Sequence, residues 1–310
     1  MFEAISYFYN IELKEIIKRK YYYKIIAKNK EIYYLKEYER NPKEEKMIEN
    51  LNQNLLINNI LVHKLIKNKN NNIVTIINQK PYYMYKTYIN KDKKVNLSEI
   101  SYLSNQKIAY DKSLIRYDWS ILWENKIDYL ENQINEIGHK YPLLVDSFNY
   151  FVGMTENAIS YVKMTNKIYE KTIYDNLVIS HRKINVNQTF LEFYDTTSFI
   201  VDHKSRDVAE YIKNSFFENN RNIFNELNEY FKNNIYSIYG ISLLFARIMY
   251  PSFYFDMYDK IINNEKEEKE IGTIIKRIKD YEIYIKNIFL YLKKIYNIKE
   301  INWITKKRIN

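Results

Sequence analysis

Two segments of this chain hold residue types whose spacing could do chemistry. In Phe199-Ile-Val-Asp202-His-Lys-Ser-Arg206-Asp207 an apolar run ends in a carboxylate, and an Arg-Asp pair then opens a helical pattern. Upstream, Ser180-His181-Arg-Lys183-Ile-Asn185-Val-Asn187-Gln188 puts a histidine at the head of a polar loop. A histidine-led loop followed by a strand ending in Asp is a layout for phosphoryl transfer. In that layout the loop carries His-x-Asp, with a metal-binding Asn five residues after the Asp base, and the strand end adds a metal-binding carboxylate. Here His181 matches, the base position holds Lys183 and the amide position holds Gln188. A charged lysine cannot accept a hydroxyl proton, and its charge opposes Mg²⁺. Asp202 remains as a vestigial metal-type ligand. The other nearby carboxylates, Glu192 and Asp195, are expected on the wrong side of the hairpin to act as base. Lys183 is expected to pair with Asp202 and fill the metal site.

The elements that must position these groups follow from periodicity. Residues 1–18 read as a helix, with Phe2, Ile5, Tyr9, Leu13, Ile16 and Ile17 near one face. Residues 21–27 and 31–38 read as strands around a Lys28-Asn29-Lys30 turn, and Asn41-Pro42 starts a helix carrying Glu44. Strands are expected at 73–77 and 82–88, which gives a small antiparallel sheet with one inserted helix over residues 1–88. Lys36 on the second strand, with Glu44 on the helix, could form the pair that orients nucleotide phosphates. No glycine precedes Gly138, so the hairpin lacks the small residues that let backbone N–H groups approach phosphate. Residues 89–310 read as mainly helical, interrupted by a strand hairpin over 177–204 with strands at 177–179, 190–194 and 199–201. Long helical regions are expected at about 207–249 and 265–297. His181 and His203 read as structural histidines, and Arg206-Asp207 as a buried pair with Asp207 capping the helix from Val208.

Composition excludes more than it identifies. The chain has 33 Tyr but only 4 Gly and 4 Pro, a bias that A/T-rich codons produce together with abundant Lys, Asn and Ile. Its net charge of +10 is scattered lysine rather than a basic stripe, so no specific nucleic-acid partner is expected. The absence of cysteine rules out disulfides and thiol chemistry. Four histidines without metal-ligand spacing give no zinc motif. The start, Met1-Phe-Glu-Ala, lacks the charged and apolar regions of a signal peptide, and no apolar run is long enough for a membrane span. Cytoplasmic synthesis is expected.

Beyond these local readings, four segments resemble the bacterial endospore coat proteins of the CotS/YutH type, kinase-like relatives of aminoglycoside and choline phosphotransferases. They are Trp119-Ser-Ile-Leu-Trp123, Ser147-Phe-Asn-Tyr-Phe-Val-Gly-Met-Thr-Glu-Asn-Ala-Ile-Ser-Tyr161, His181-Arg182 and Val201-Asp-His-Lys-Ser-Arg-Asp-Val-Ala-Glu-Tyr211. The match is most similar to the YutH-like branch. The resemblance implies an α+β, two-lobed protein kinase-like (aminoglycoside phosphotransferase-like) fold, with a sheet-based N-terminal lobe and a mainly helical C-terminal lobe. It also implies mother-cell synthesis, a place in the spore coat, and other coat proteins as partners. Active relatives keep a longer segment between the metal Asp and the helix Asp. Asp202 and Asp207 are only five apart, which shortens the metal loop. Together the readings lead to a non-catalytic pseudokinase acting through protein–protein contacts, with no cofactor. The alternative is an ATP- and Mg²⁺-dependent phosphotransferase, or an ATP-binding pseudokinase, using Lys36, Glu44 and Asp202.

Overall fold

The computed structural model describes residues 1–89, 92–116, 118–185, 187–220 and 222–305. In chain order it runs α1 (Phe2–Tyr9), β1 (Leu13–Lys18), β2 (Tyr23–Ala27), β3 (Ile32–Glu37), α2 (Glu45–Ile57), β4 (Lys64–Ile66), β5 (Val74–Ile77), β6 (Lys80–Lys86) and α3 (Leu97–Ser104). Two long helices follow, α4 (Trp119–Ile137) and α5 (Pro142–Ile168), then β7 (Leu177–His181), the single turn α6 (Phe190–Phe193) and β8 (Phe199–His203). The chain continues through α7 (Ser205–Phe217), α8 (Ile223–Asn233), α9 (Ile238–Met249), α10 (Ser252–Ile262), α11 (Ile271–Tyr296) and α12 (Asn302–Thr305). No described helix is long and apolar enough to cross a membrane.

The first compact unit comprises residues 1–115 and 181–201. Its antiparallel sheet has the order β1-β2-β3-β6-β4, with β5 beside β4 on the same edge of β6. Register sorts the side chains into two faces, because directly opposed residues project to the same side. One face carries Ile25, Tyr33, Leu35, Met84 and Tyr82, and Ile5 and Tyr9 of α1 cover it. The other carries Lys24, Tyr34 and Tyr85 in one row and Lys36 and Tyr83 in the next. Lys36 belongs to this second face.

Several expectations for this unit are corrected. Residues 1–18 are not one helix: Asn10 at φ 51° ends α1, and Leu13–Lys18 pairs with β2. A hairpin turn at Arg19-Lys20-Tyr21-Tyr22 therefore precedes the expected one at Lys28-Asn29-Lys30, which does join β2 to β3; neither contains glycine. The short strand β4 went unpredicted. The expected strand at 190–194 is instead α6, with the Thr189 N–H donating to Glu192 across its first turn (3.2 Å). The first unit extends to residue 115, and residues 181–201 return to it. Side chains fix that return. Arg40 donates to the carbonyls of Thr197 (3.0 Å) and Phe199 (2.7 Å), and Asn52 donates to the Thr196 hydroxyl (2.7 Å).

The second unit comprises residues 116–180 and 202–310. α5 and α9 pack together, as do α7 and α9, around the fully buried Ile241, Leu244, Phe245 and Ala246. The expected helix over 207–249 is three helices. The first break follows Asn219 at φ 55°, and Ser237 caps α9 by accepting from the Gly240 N–H (2.8 Å). The Ser237 hydroxyl in turn donates to Asp175 (2.6 Å). A Cβ at Gly240 would lie 2.9 Å from the Asp175 carboxylate and 3.3 Å from His203 Cε1. Gly240→Ala should therefore cost about 1–3 kcal/mol through overpacking. Urea unfolding followed by tryptophan fluorescence would read it, because Trp119, Trp123 and Trp303 all lie in this unit. A loss below about 0.5 kcal/mol, the range of ordinary surface changes, would mean that α9 shifts freely.

Candidate functional site

The sequence pairs Lys36 with Glu44; the structure does not. Lys36 Nζ lies 3.0 Å from Asp195 Oδ2, while Glu44 accepts from Arg40 Nε at 2.7 Å. The other acids at the start and middle of α2 have their own donors. Glu45 accepts from the Val74 N–H (3.0 Å), and Glu49 binds Lys46 (2.9 Å) and Lys67 (2.5 Å). The lysine's anchor thus comes from the segment after α6.

Asp195 is 1% exposed and meets four donors. Oδ2 takes Lys36 and the Tyr83 hydroxyl, while Oδ1 takes the Thr197 N–H (3.1 Å) and hydroxyl (2.7 Å). Burial alone would raise its pKa, but the Lys36 charge and the hydrogen bonds from Tyr83 and Thr197 hold it below the usual carboxylate value. Burial would lower the Lys36 pKa, and the Asp195 charge more than reverses that. Asp195 also caps the short 3-10 turn Thr196–Ser198, so one carboxylate sets both the local backbone and the lysine.

An aromatic pile covers the sheet face beside Lys36. Tyr34 stacks on Tyr85 (centroids 5.5 Å apart) and meets Tyr22 edge-on (5.5 Å). Tyr85 in turn stacks on Tyr83 (5.8 Å) and His63 (5.0 Å). Tyr34, Tyr83, Tyr85 and His63 are all buried. Burial lowers the His63 pKa and so favours the neutral ring, whose Nε2 lies 3.0 Å from the Leu191 carbonyl. The sequence showed these tyrosines only as codon bias; their alternation on β3 and β6 was the available signal.

The loop residues His181, Lys183 and Gln188 have separate environments. His181 is 1% exposed, with Nε2 2.9 Å from the Phe193 carbonyl and its ring stacked on Phe193 at 4.3 Å. Lys183 is exposed. The Gln188 side-chain oxygen accepts from the Asn185 N–H (3.2 Å), which turns it into its own loop.

Asp202 belongs to the second unit and is fully buried. Its carboxylate takes Arg206 Nη1 (2.6 Å), Trp119 Nε1 (3.0 and 3.1 Å) and the His203 N–H (2.7 Å). Within this unit the neutralising cation is Arg206. Arg206 bonds Asp202, and Asp207 lies inside the first turn of α7, which starts at Ser205, so it does not cap the helix as expected. Among the described residues, no group of three His, Asp or Glu could hold a metal ion.

His203 touches the Ser205 hydroxyl through Nδ1 (2.7 Å), and its Nε2 lies 3.4 Å from Asp175. These are the residue types of a hydrolytic triad. However, Ser205 is fully buried and His203 is 1% exposed, so no substrate reaches the hydroxyl. The set is structural.

Comparison with solved structures gives the class of fold. The chain is similar to an aminoglycoside phosphotransferase from Alicyclobacillus acidocaldarius, at TM-score 0.57, 9% identity and coverage of 94% of this chain and 95% of that one. It is equally similar to spectinomycin phosphotransferase APH(9)-Ia solved with ADP and spectinomycin, at TM-score 0.57, 12% identity and 93% coverage of each chain. The fold is thus the two-lobed protein kinase-like fold of the aminoglycoside phosphotransferases, α+β as expected. Within that class the chain belongs to the family described as "Spore coat putative kinase YutH", which matches residues 3–288. A curated relative, the endospore coat-associated protein YutH of Bacillus subtilis (strain 168), is 28% identical over 165 residues, 49% of this chain. The matched segment spans about half of that relative, 48% of its length.

Proposed function

We propose that this protein is a spore coat-associated pseudokinase that works through contacts with other coat proteins and needs neither ATP nor Mg²⁺. Family membership and the coat-associated relative support the location. One observation carries the non-catalytic part: the sheet face around Lys36 is filled from within. A purine held beside this lysine would need an apolar slot against the sheet, and the rings of Tyr22, Tyr34 and Tyr85 lie there. The Lys36 ammonium already faces Asp195. Lys183 at the base position and the inward-turned Gln188 amide support the same reading.

One observation favours the rival, an ATP-dependent phosphotransferase. The Lys36 side chain is still 26% exposed, and a carboxylate-anchored lysine is what phosphate orientation uses. Thermal unfolding with ATP and Mg²⁺, alone and together, separates the two. A ligand that binds only the folded protein stabilises it by about 2.7 kcal/mol at a hundredfold excess over Kd. The expected result is no change in melting temperature at millimolar ATP·Mg²⁺. A saturable rise would restore the rival.

A further inference from the structure

We propose that the Asp195 side chain is an internal ligand of a preformed oxyanion site, and that it locks Lys36 against external phosphoryl groups. This rests on the nucleotide-independent reading and names the regulation of the same site. Four donors from three parts of the first unit converge on one carboxylate: the Lys36 ammonium on β3, the Tyr83 hydroxyl on β6, and the N–H and hydroxyl of Thr197. Such convergence is how proteins bind carboxylate and phosphate groups. Here the anion is covalently part of the chain and at very high effective concentration, so a free anion cannot compete. The donors are also held without Asp195. Tyr83 lies in the stacked aromatic pile, Arg40 holds the carbonyls of Thr197 and Phe199, and Asn52 holds the Thr196 hydroxyl. Only Lys36 has appreciable exposure, so the lysine marks the side from which an outside anion would enter.

The site therefore accepts a small oxyanion once the carboxylate is withdrawn. Asp195→Ala leaves a carboxylate-sized space lined by the four donors, and formate and inorganic pyrophosphate are the probes. Formate tests the carboxylate-sized hole itself, and pyrophosphate tests access from the Lys36 side.

Asp195→Ala should gain a saturable rise in melting temperature with pyrophosphate, roughly 5 °C at a hundredfold excess over Kd. Wild type should show none, and adding Lys36→Met to Asp195→Ala should abolish the gain. If both wild type and Asp195→Ala stay silent toward both anions, the lock is overturned while the nucleotide-independent reading stands. If wild type responds to pyrophosphate or ATP and Asp195→Ala loses the response, both fall, and Asp195 is an anchor for a working lysine. If wild type responds and Asp195→Ala binds at least tenfold more tightly, the lock stands and the nucleotide-independent reading falls. A formate response without a pyrophosphate response would also overturn the lock, because the hole would then be closed to phosphoryl groups.

Asp195→Ser, which leaves most of that space and can still cap the following turn, serves where the alanine variant does not fold. A wild-type measurement needs no variant. The Lys36 ammonium should give a slowly exchanging NMR signal, distinct from surface lysines. An ordinary, fast-exchanging Lys36 would show that the ion pair is not held, and would overturn the proposal.

Discussion

Replacing Glu210 with glutamine should destabilise the second unit by about 3–5 kcal/mol, because it strands two buried cations. Glu210 Oε1 lies 2.9 Å from Lys213 Nζ and 2.8 Å from Arg247 Nε, and those two side chains are 2% and 6% exposed. Lys213 also donates to the Tyr250 carbonyl (3.2 Å) and the Ser252 hydroxyl (2.7 Å), but neither partner carries charge. Burial alone would raise the Glu210 pKa; the charges of Lys213 and then Arg247 outweigh it and pull the carboxyl down to about 2. Its stabilising share is complete above the ordinary value of 4.5 and is lost as pH falls from there toward 2. That loss is about 3 kcal/mol. Lys213 behaves oppositely. Burial pushes it down to about 8, so the fold carries a penalty for its charge below pH 8, which is relieved as pH rises toward the ordinary 10.5. Urea unfolding at pH 7, followed by tryptophan fluorescence, should show the loss in Glu210→Gln. Repeating it from pH 6 to pH 2 should show a shallower acid decline in the variant. A loss below about 1 kcal/mol at pH 7 would mean that water or backbone neutralises the two cations, contrary to the buried-pair argument.

The sequence conveyed element types better than breaks or partners. Helices α2, α4 and α5 were legible because Asn41-Pro42 and Gly138 mark ends and apolar residues keep a 3.6-residue period. The failures share a cause: punctuation here is written in asparagine. Among the described residues, ten non-glycine positions take positive φ, seven of them Asn, and no glycine does. Asn tolerates the left-handed region better than other side chains, so codon bias can substitute it for glycine in turns. Asn10 and Asn219 looked like ordinary helix-surface residues, and the breaks after α1 and α7 were missed. The Phe190 to Tyr194 run has strand composition, but Thr189 and Glu192 fix it as one helical turn. At the site, Lys36 and its strand were found, but not its partner. Asp195 is 159 residues away, and no local pattern connects a strand lysine to a distant capping aspartate. The α2 glutamates were plausible until Arg40, the Val74 N–H, Lys46 and Lys67 were seen to take them.

Arg40→Met should destabilise the first unit by a comparable amount, about 3–5 kcal/mol, for a related reason. Arg40 is 7% exposed and holds three acceptors at once. Its Nη1 donates to the carbonyls of Thr197 (3.0 Å) and Phe199 (2.7 Å), and its Nε and Nη2 meet Glu44 (2.7 Å each). Methionine fills similar volume but donates nothing, so the two carbonyls lose a charged donor and Glu44 loses a cation. Lysine should not rescue the site, because one ammonium cannot reproduce a planar fork that reaches acceptors in two directions. The consequence reaches Lys36. Asp195 begins the turn whose far end Arg40 holds, so freeing Thr197 and Phe199 loosens the carboxylate. Native-state hydrogen exchange at the β3 and β6 amides would follow the unfolding of this unit. Hydrogen exchange should show faster exchange at the Thr197 and Ser198 amides, which donate to Asp195 Oδ1 and the Asp195 carbonyl. If Arg40→Met unfolds like wild type and those amides keep their protection, Arg40 does not hold the returning segment. The sheet and Asn52 alone would then position Asp195 on Lys36.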